Sequence, residues 1–314
     1  MPIMKPAEMN FSNKNIIMIL SGLPGTGKTT LALSAPDVLL IDTDEGLARV
    51  NPAHRKDASV CKTYEEILAD IKAARGQYKT IVIDTCGALI EYMKDWAVRT
   101  DPKASKANGG FSLQGYGVIK SEFVRLSAEL RKDFNVVYLF HESMTKNGDD
   151  GVFYELVVEG STRTLVYQPA DLAGHLFIDH GKRYVGFTPT EQYSAKAAYG
   201  IKGIVEIPEL KDGDPNDFLT RLFAKVRSNL AAETKGLNEE RDMYTFAMRQ
   251  AKAIVEVVNS PDDVADAAIA IKELNHALTS KKEAQDMLKK RMAELGIVWD
   301  KNAKVYKYAE GTNN

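Results

Sequence analysis

Cysteine is scarce: the 314-residue chain holds two, Cys61 and Cys86. They form no C-x-x-C pair and no metal-ligand spacing, which argues against a disulfide framework and fits a reducing compartment. No charge sign dominates. The chain carries 41 Lys and Arg against 43 Asp and Glu, a formal net charge of −2. A global basic field of the kind that gathers nucleic acid is therefore missing, and any such binding would rest on local patches. No apolar run approaches a membrane span, and the N-terminal segment has Lys5 but no apolar signal core. The expectation is a soluble, cytoplasmic protein. The histidines, His54, His141, His175, His180 and His276, make no H-E-x-x-H or other metal pattern. His175 and His180 are five apart, which does not put them on one helical face. All except His141 read as scattered surface or core residues. Internal repeats and low-complexity tracts are also missing.

What is present is concentrated near the N-terminus. Gly22-Leu23-Pro24-Gly25-Thr26-Gly27-Lys28-Thr29-Thr30 contains G-x-x-x-x-G-K-T. The glycines let backbone N–H groups turn inward around a polyphosphate. Lys28 would reach the β- and γ-phosphates, and the Thr29 hydroxyl would bind Mg²⁺. The context fits. Residues 15–20, Asn-Ile-Ile-Met-Ile-Leu, read as a strand buried on both faces. Residues 29–34 read as a helix that Pro36 stops.

Further strands are predicted at 37–42, 79–84 and 135–140, with helices at 63–75, 88–98 and 114–132. Thr63 and Glu66 form a capping box for the first of these helices. Alternating strands and helices imply a parallel sheet with helices on both faces, and ligands in such sheets bind at the strands' carboxyl ends. Gly22, Asp44, Glu45, Asp84, His141 and Glu142 lie at or just past those ends. Residues 99–112 are polar and glycine-bearing, as in a mobile loop. Short strands at 152–158, 172–179 and 184–187 suggest an antiparallel extension, and a helix at 218–230 closes the domain. Beyond it Met243, Phe246, Ala247, Ile254 and Val258 are spaced for one helical face, and helices follow at 262–277 and 280–294. The expected domains are residues 1–233 and 234–314.

Asp84 is the natural second metal-site carboxylate, holding Mg²⁺ through a water. Thr85 stands where many motor ATPases place a catalytic glutamate. Asp84-Thr85-Cys86-Gly87 matches the D-x-x-G of GTPases, but no N-K-x-D guanine-reading motif follows. Water activation must come from elsewhere, and Asp44 and Glu45 are the candidates. Reach favours Glu45, and strand register favours Asp44.

The chain resembles the RecA-like ATPases. The likeness is to a small phage-encoded branch, nucleotide-binding AAA-domain proteins related to Sak-type single-strand annealing recombinases. It is carried by Gly22 to Thr29, Ile41-Asp42-Thr43-Asp44-Glu45-Gly46, Ile81-Val82-Ile83-Asp84-Thr85, Leu113-Gln114-Gly115-Tyr116-Gly117, Phe140-His141-Glu142, Ala170-Asp171 and Ala195-Lys196. It spans residues 12–230. The resemblance implies an α/β fold: a RecA-like P-loop core, its sheet mostly parallel with an antiparallel extension, plus a C-terminal helical appendage. It implies ATP and Mg²⁺ as cofactors, a homo-oligomer, single-stranded DNA as partner, and a phage protein's place in the host cytoplasm.

By the same resemblance a carboxylate after the second strand, Asp44 or Glu45, activates water, and a polar pair, His141 and Glu142, senses the γ-phosphate. Two DNA loops fall at 99–112 and 143–152. The first offers Arg99, Lys103 and Lys106, with Phe111 for base stacking. The second offers Lys146, diluted by Asp149 and Asp150, which argues against strand exchange of the RecA kind. A basic residue from a neighbouring copy often completes such sites, and Lys182, Arg183 and Lys196 are candidates. Residues from about 235 match no recognised pattern; a single-strand-binding protein is one partner they could serve. The alternative reading is a P-loop switch or loader acting on a protein partner without DNA. A small-molecule kinase is disfavoured by the lack of an arginine-rich lid.

Overall fold

A computed structural model describes residues 11, 13–106, 110–147, 151–158, 162–211 and 213–309. Two compact units divide the chain, one spanning Asn13–Asn229 and the other running from Leu230 on.

The first unit opens with β1 (Ile17–Gly22), α1 (Lys28–Ala32), β2 (Val38–Asp42) and β3 (Ala58–Val60). Next come α2 (Tyr64–Ala74), β4 (Thr80–Asp84), α3 (Cys86–Thr100) and α4 (Leu113–Asp133). It continues with β5 (Asn135–Asn147), β6 (Gly151–Leu156), α5 (Thr162–Leu165), β7 (Leu172–Asp179), β8 (Lys182–Gly186) and β9 (Ile204–Ile207). The strands form one nine-stranded sheet in the order β3-β2-β4-β5-β1-β7-β8-β9, with β6 paired to β5. Neighbours from β3 through β7 are parallel, and β8, β9 and β6 are antiparallel additions. The predicted α/β architecture is the observed one.

The central strands are apolar on both faces because both are covered. Ile17, Ile19, Ile41, Ile81, Ile83, Val136 and Tyr138 share one core with Tyr64, Ile67, Leu89, Met93, Phe123 and Leu126 of α2, α3 and α4. The alternate residues Met18, Leu20, Leu40, Val82, Val137 and Leu139 are equally buried. Helix α1 lies against β1 and β5. The capping box of Thr63 and Glu66 starts α2 as expected.

Several elements depart from expectation. Strand β5 does not stop at Phe140; it runs on through Asn147 and forms a hairpin with β6. Residues 143–147 are therefore strand, not loop, and the part of the expected second DNA loop holding Asp149 and Asp150 lies outside the described residues. Strands β3 and β9 were not expected. The helix expected to end at 230 is α6 (Phe218–Glu256), 39 residues long. The second unit adds α7 (Pro261–Glu273), α8 (Ser280–Glu294) and the hairpin β10 (Ile297–Asp300) with β11 (Val305–Tyr308). It has its own core of Ala251, Val255, Val258, Val264, Ala267, Ile271, Ala284, Leu288 and Ile297. Phe246, expected on the buried face with Ala247, is 50% exposed.

Candidate active site

The glycine loop follows β1, the strand between β5 and β7. All three of its glycines are required by geometry, Gly25 through its φ of 81°. A Cβ on Gly22 would lie 2.6 Å from the Leu176 carbonyl oxygen, and Gly27 sits at φ 93°, where a side chain is strained. The loop closes on itself: Thr26 Oγ1 donates to the Leu23 carbonyl at 2.9 Å. Pro24 and Gly25 form the exposed outer turn after Leu23, and the Thr30 carbonyl accepts from Asn216 Nδ2 at 2.8 Å. Lys28 is buried, and its Nζ donates to the carbonyls of Gly22 at 2.9 Å and Leu23 at 3.0 Å. Burial lowers its pKa, while the charges of Asp84, Glu142 and Asp44 oppose that shift.

Asp84 ends β4, beside the loop. Thr29 Oγ1 donates to its Oδ2 at 2.6 Å. Its pKa is pushed up to about 6, first by burial, then by Asp44 and Asp42, against the Thr29 bond and the Lys28 charge. A carboxylate held at such a cost, next to a threonine hydroxyl and beside the glycine loop, suits a divalent cation between it and a polyphosphate. No cluster of three or more His, Cys, Asp or Glu suited to a metal occurs among the described residues. A Mg²⁺ ion would therefore depend on Thr29, Asp84 and the nucleotide for its ligands.

The residues after β2 divide their roles. Asp42 accepts from the N–H groups of Gly46 and Leu47 at 2.8 and 2.9 Å and fixes the turn. Asp44 points into the site. Its Oδ2 is 3.8 Å from His141 Nε2, its Oδ1 is 3.6 Å from Arg49, and Oδ1 is buried without a hydrogen bond. Glu45 turns away: its backbone is left-handed at φ 57°, and its side chain is 70% exposed beside Lys62. Reach was the argument for Glu45, and the turn that Asp42 fixes sends that reach outward.

His141 sits opposite Gly22 in the β1–β5 register. Burial and the nearby Lys28 charge lower its pKa, outweighing Asp44, so the ring is neutral at neutral pH. Its Nδ1 is buried and unpartnered. Glu142, the next residue, is buried, with Oε2 2.8 Å from His175 Nδ1 in a close contact without hydrogen-bond alignment. His175 is a core residue, within the expected surface-or-core reading, and its place in the core is beside the glycine loop. It lies on β7 opposite Ser21, buried, with its ring stacked on Tyr193 at 4.2 Å. Strand neighbourhood to the glycine loop was the missing signal; helical spacing was the wrong test for it.

The other expected residues separate. Lys182 pairs with Glu206 at 2.9 Å. Lys196 Nζ donates to the carbonyls of Ala170 at 2.6 Å and Tyr167 at 3.4 Å of its own chain. Arg183 lies against Gly27 of its own chain. Arg99 belongs to α3 and is bound by both oxygens of Glu65 at 2.9 and 2.8 Å. Phe111 is half-buried edge-on against Tyr116, so it is not free to stack a base. Lys103 and Lys106 are exposed, with no side-chain partner among the described residues; 107–109 lie outside them.

Comparison with known proteins places this site in context. A family model described as an AAA domain matches residues 14–199. No curated protein matches. Among solved structures, the chain is similar to an ATPase from the type III secretion system of pathogenic bacteria, at 15% identity and a TM-score of 0.34. The match covers 52% of each chain, so this chain spans about half the length of that structure. No described helix is long and apolar enough to cross a membrane. On the match over residues 14–199, which contains the whole glycine loop, Asp44, Asp84, His141 and Glu142, the chain belongs to the AAA-domain family of P-loop ATPases.

Proposed function

We propose that the protein is a Mg²⁺-dependent ATPase whose turnover is coupled to single-stranded DNA, in annealing or recombination. The observation that carries the ATPase reading is the convergence of Lys28, Thr29, Asp84, Asp44 and His141 at the carboxyl ends of β1, β4, β2 and β5. The loop amides and Lys28 bind the phosphates; Lys28 exchanges its two loop carbonyls for phosphate oxygens. Mg²⁺, held by Thr29 and Asp84, would supply charge neutralisation on the phosphoryl group. Asp44 orients and polarises the attacking water, since its orphaned Oδ1 has acceptor capacity to spare. His141, neutral and adjacent, offers a hydrogen bond without adding fixed charge.

The DNA part rests on placement. Lys103 and Lys106 are exposed and unpaired among the described residues, and Lys146 lies on the β5–β6 hairpin. That hairpin continues the strand bearing His141 and Glu142, a direct route from nucleotide state to surface. Assembly with further copies is part of the same reading. A second reading, a switch or loader for a protein partner, is favoured by exposed apolar residues in the second unit. Leu237, Phe246, Val257 and Ile269 are each at least half exposed.

The test is the ATPase rate with and without single-stranded DNA at two salt concentrations. Stimulation that weakens steeply with salt, and that falls when Lys103 and Lys106 are both changed to Ala, supports the DNA reading. No stimulation and no retention on single-stranded DNA leaves the protein-partner reading. Lys28→Ala abolishes turnover in either case. Absence of ATP binding in the presence of Mg²⁺ would sink both.

A further inference from the structure

We infer that Arg183 is a phosphate-binding residue acting in cis, on nucleotide held by its own chain's glycine loop. The inference deepens the nucleotide reading above and rests on it. Strand β8 is separated from β1 only by β7, two strand spacings of about 5 Å each. From there Arg183 reaches back across the sheet: a Cβ placed on Gly27 would lie 3.3 Å from its Nε and 3.5 Å from its Cδ. The guanidinium thus lies over the loop's last glycine.

Its electrostatic state sets it apart from neighbouring cations. Lys182 on the same strand is paired with Glu206, and Arg221 across the cavity is paired with Asp217. The side chain of Arg183 makes no hydrogen bond or ion pair among the described residues, although its backbone is paired with β7 and β9, and it lies beside Gly27 of the glycine loop. Glu209, Asp214 and Asp217 line the same space, but Asp217 is paired with Arg221, Asp214 accepts from the Lys211 N–H, and none of the three is bonded to Arg183. A guanidinium left without an acceptor beside the phosphate loop calls for an anion. The space exists. Arg183 lines a cavity of about 490 Å³ with Thr26, Gly27 and Thr30 on one side and Pro208 and Phe218 on the other.

Position decides which phosphates it holds. Asp84, Asp44 and His141 lie on the β4, β2 and β5 side of β1, where water attack occurs. Arg183 lies on the opposite, β7–β8 side, where it lines the cavity. It therefore contacts the non-transferred phosphates as they leave the loop toward the sugar, and the cavity receives the nucleoside. Such a contact is made equally by ATP and ADP. It lowers KM without raising kcat, unlike a finger from a neighbouring copy, which acts on the transferred group.

The experiment uses the full chain with Mg²⁺, titrating fluorescent ATP and ADP analogues and measuring steady-state ATPase rates. Arg183→Ala is expected to weaken both nucleotides by roughly tenfold to a hundredfold, the range for a charge-assisted hydrogen bond. KM rises correspondingly, kcat stays within about twofold, and Arg183→Lys restores part of the affinity. Mixing the Arg183→Ala and Lys28→Ala proteins recovers nothing. The inference is overturned if Arg183→Ala binds ATP and ADP like the wild type. It is equally overturned if the loss is confined to kcat and the Lys28→Ala protein restores it, which would make Arg183 a finger in trans. If the wild type binds neither nucleotide, the nucleotide reading itself falls and takes this inference with it.

Discussion

Asp84 is held against its own chemistry. Its folded-state pKa of about 6 stands above the ordinary value of 3.8, because burial and the carboxylates of Asp44 and Asp42 disfavour its charge. A carboxyl raised in the folded state costs stability when ionised, so the penalty is present above about pH 6 and is relieved as pH falls toward 4. A shift of this size corresponds to on the order of 3 kcal/mol at neutral pH. Asp84→Asn, which keeps an acceptor for Thr29, should therefore stabilise the nucleotide-free protein by up to about that amount in urea unfolding at pH 7.5. The gain should shrink at pH 5, and Mg²⁺-dependent turnover should be lost. Because cation binding needs the ionised form, wild-type affinity for Mg²⁺–ATP should fall as pH drops through about 6, with proton release visible by calorimetry in buffers of different ionisation enthalpy. Asp44 and Glu45 offer a cleaner contrast. Asp44 faces His141, and Glu45 faces solvent. Asp44→Asn should cut kcat by about a hundredfold or more, and Glu45→Gln should leave it within about twofold. Equal losses would show that the turn rearranges around the nucleotide.

At the scale of elements, β5 and β7 flank the glycine-loop strand, and Glu142 and His175 reach toward each other from those two strands. His175→Ala would leave a fully buried carboxylate without its partner and remove a ring stacked on Tyr193. The expected cost is about 3 kcal/mol in urea unfolding, with weaker nucleotide binding because β1 loses a tie across its end. A loss below 1 kcal/mol would mean that the contact is incidental. This pair also marks where the sequence stops being legible. The glycine loop could be read because its chemistry is local: eight consecutive residues, Gly22 to Thr29, make the cradle. The central strands could be read because two-sided burial leaves unbroken apolar runs. The strand expected at 152–158 is β6, but the run of β5 past Phe140 that pairs with it could not be read. Beyond Phe140 the strand leaves the core, so nothing obliges Ser143, Met144 or Thr145 to be apolar, and pairing with β6 sets their conformation instead. Pairing also decided the loose residues. Arg99 looked free for DNA until α3 carried it to Glu65, and Lys196 looked free until the chain turned it onto Ala170. Residue type was visible in the sequence; the partner 26 or 34 positions away was not.

At the scale of the whole molecule, each compact unit has a core of its own. All of the proposed nucleotide contacts fall in Asn13–Asn229, and none falls from Leu230 on. A ligand stabilises only the state it binds, by RT ln(1 + [L]/Kd), which is about 2.7 kcal/mol at a hundred times Kd. Scanning calorimetry of the full chain should therefore resolve two transitions, of which saturating Mg²⁺–ATP moves one. For a unit of this size the movement should be roughly 5–10 °C upward. The unmoved transition should be the one that a substitution in the second core, such as Ile271→Ala, lowers on its own, since truncating a buried isoleucine costs about 2–5 kcal/mol. Lys28→Ala should abolish the nucleotide shift and leave the other transition where it was. Should both transitions rise together with nucleotide, the second unit would be part of the ligand-linked state, and its role would lie in the ATPase cycle itself, not in a partner contact made alongside it.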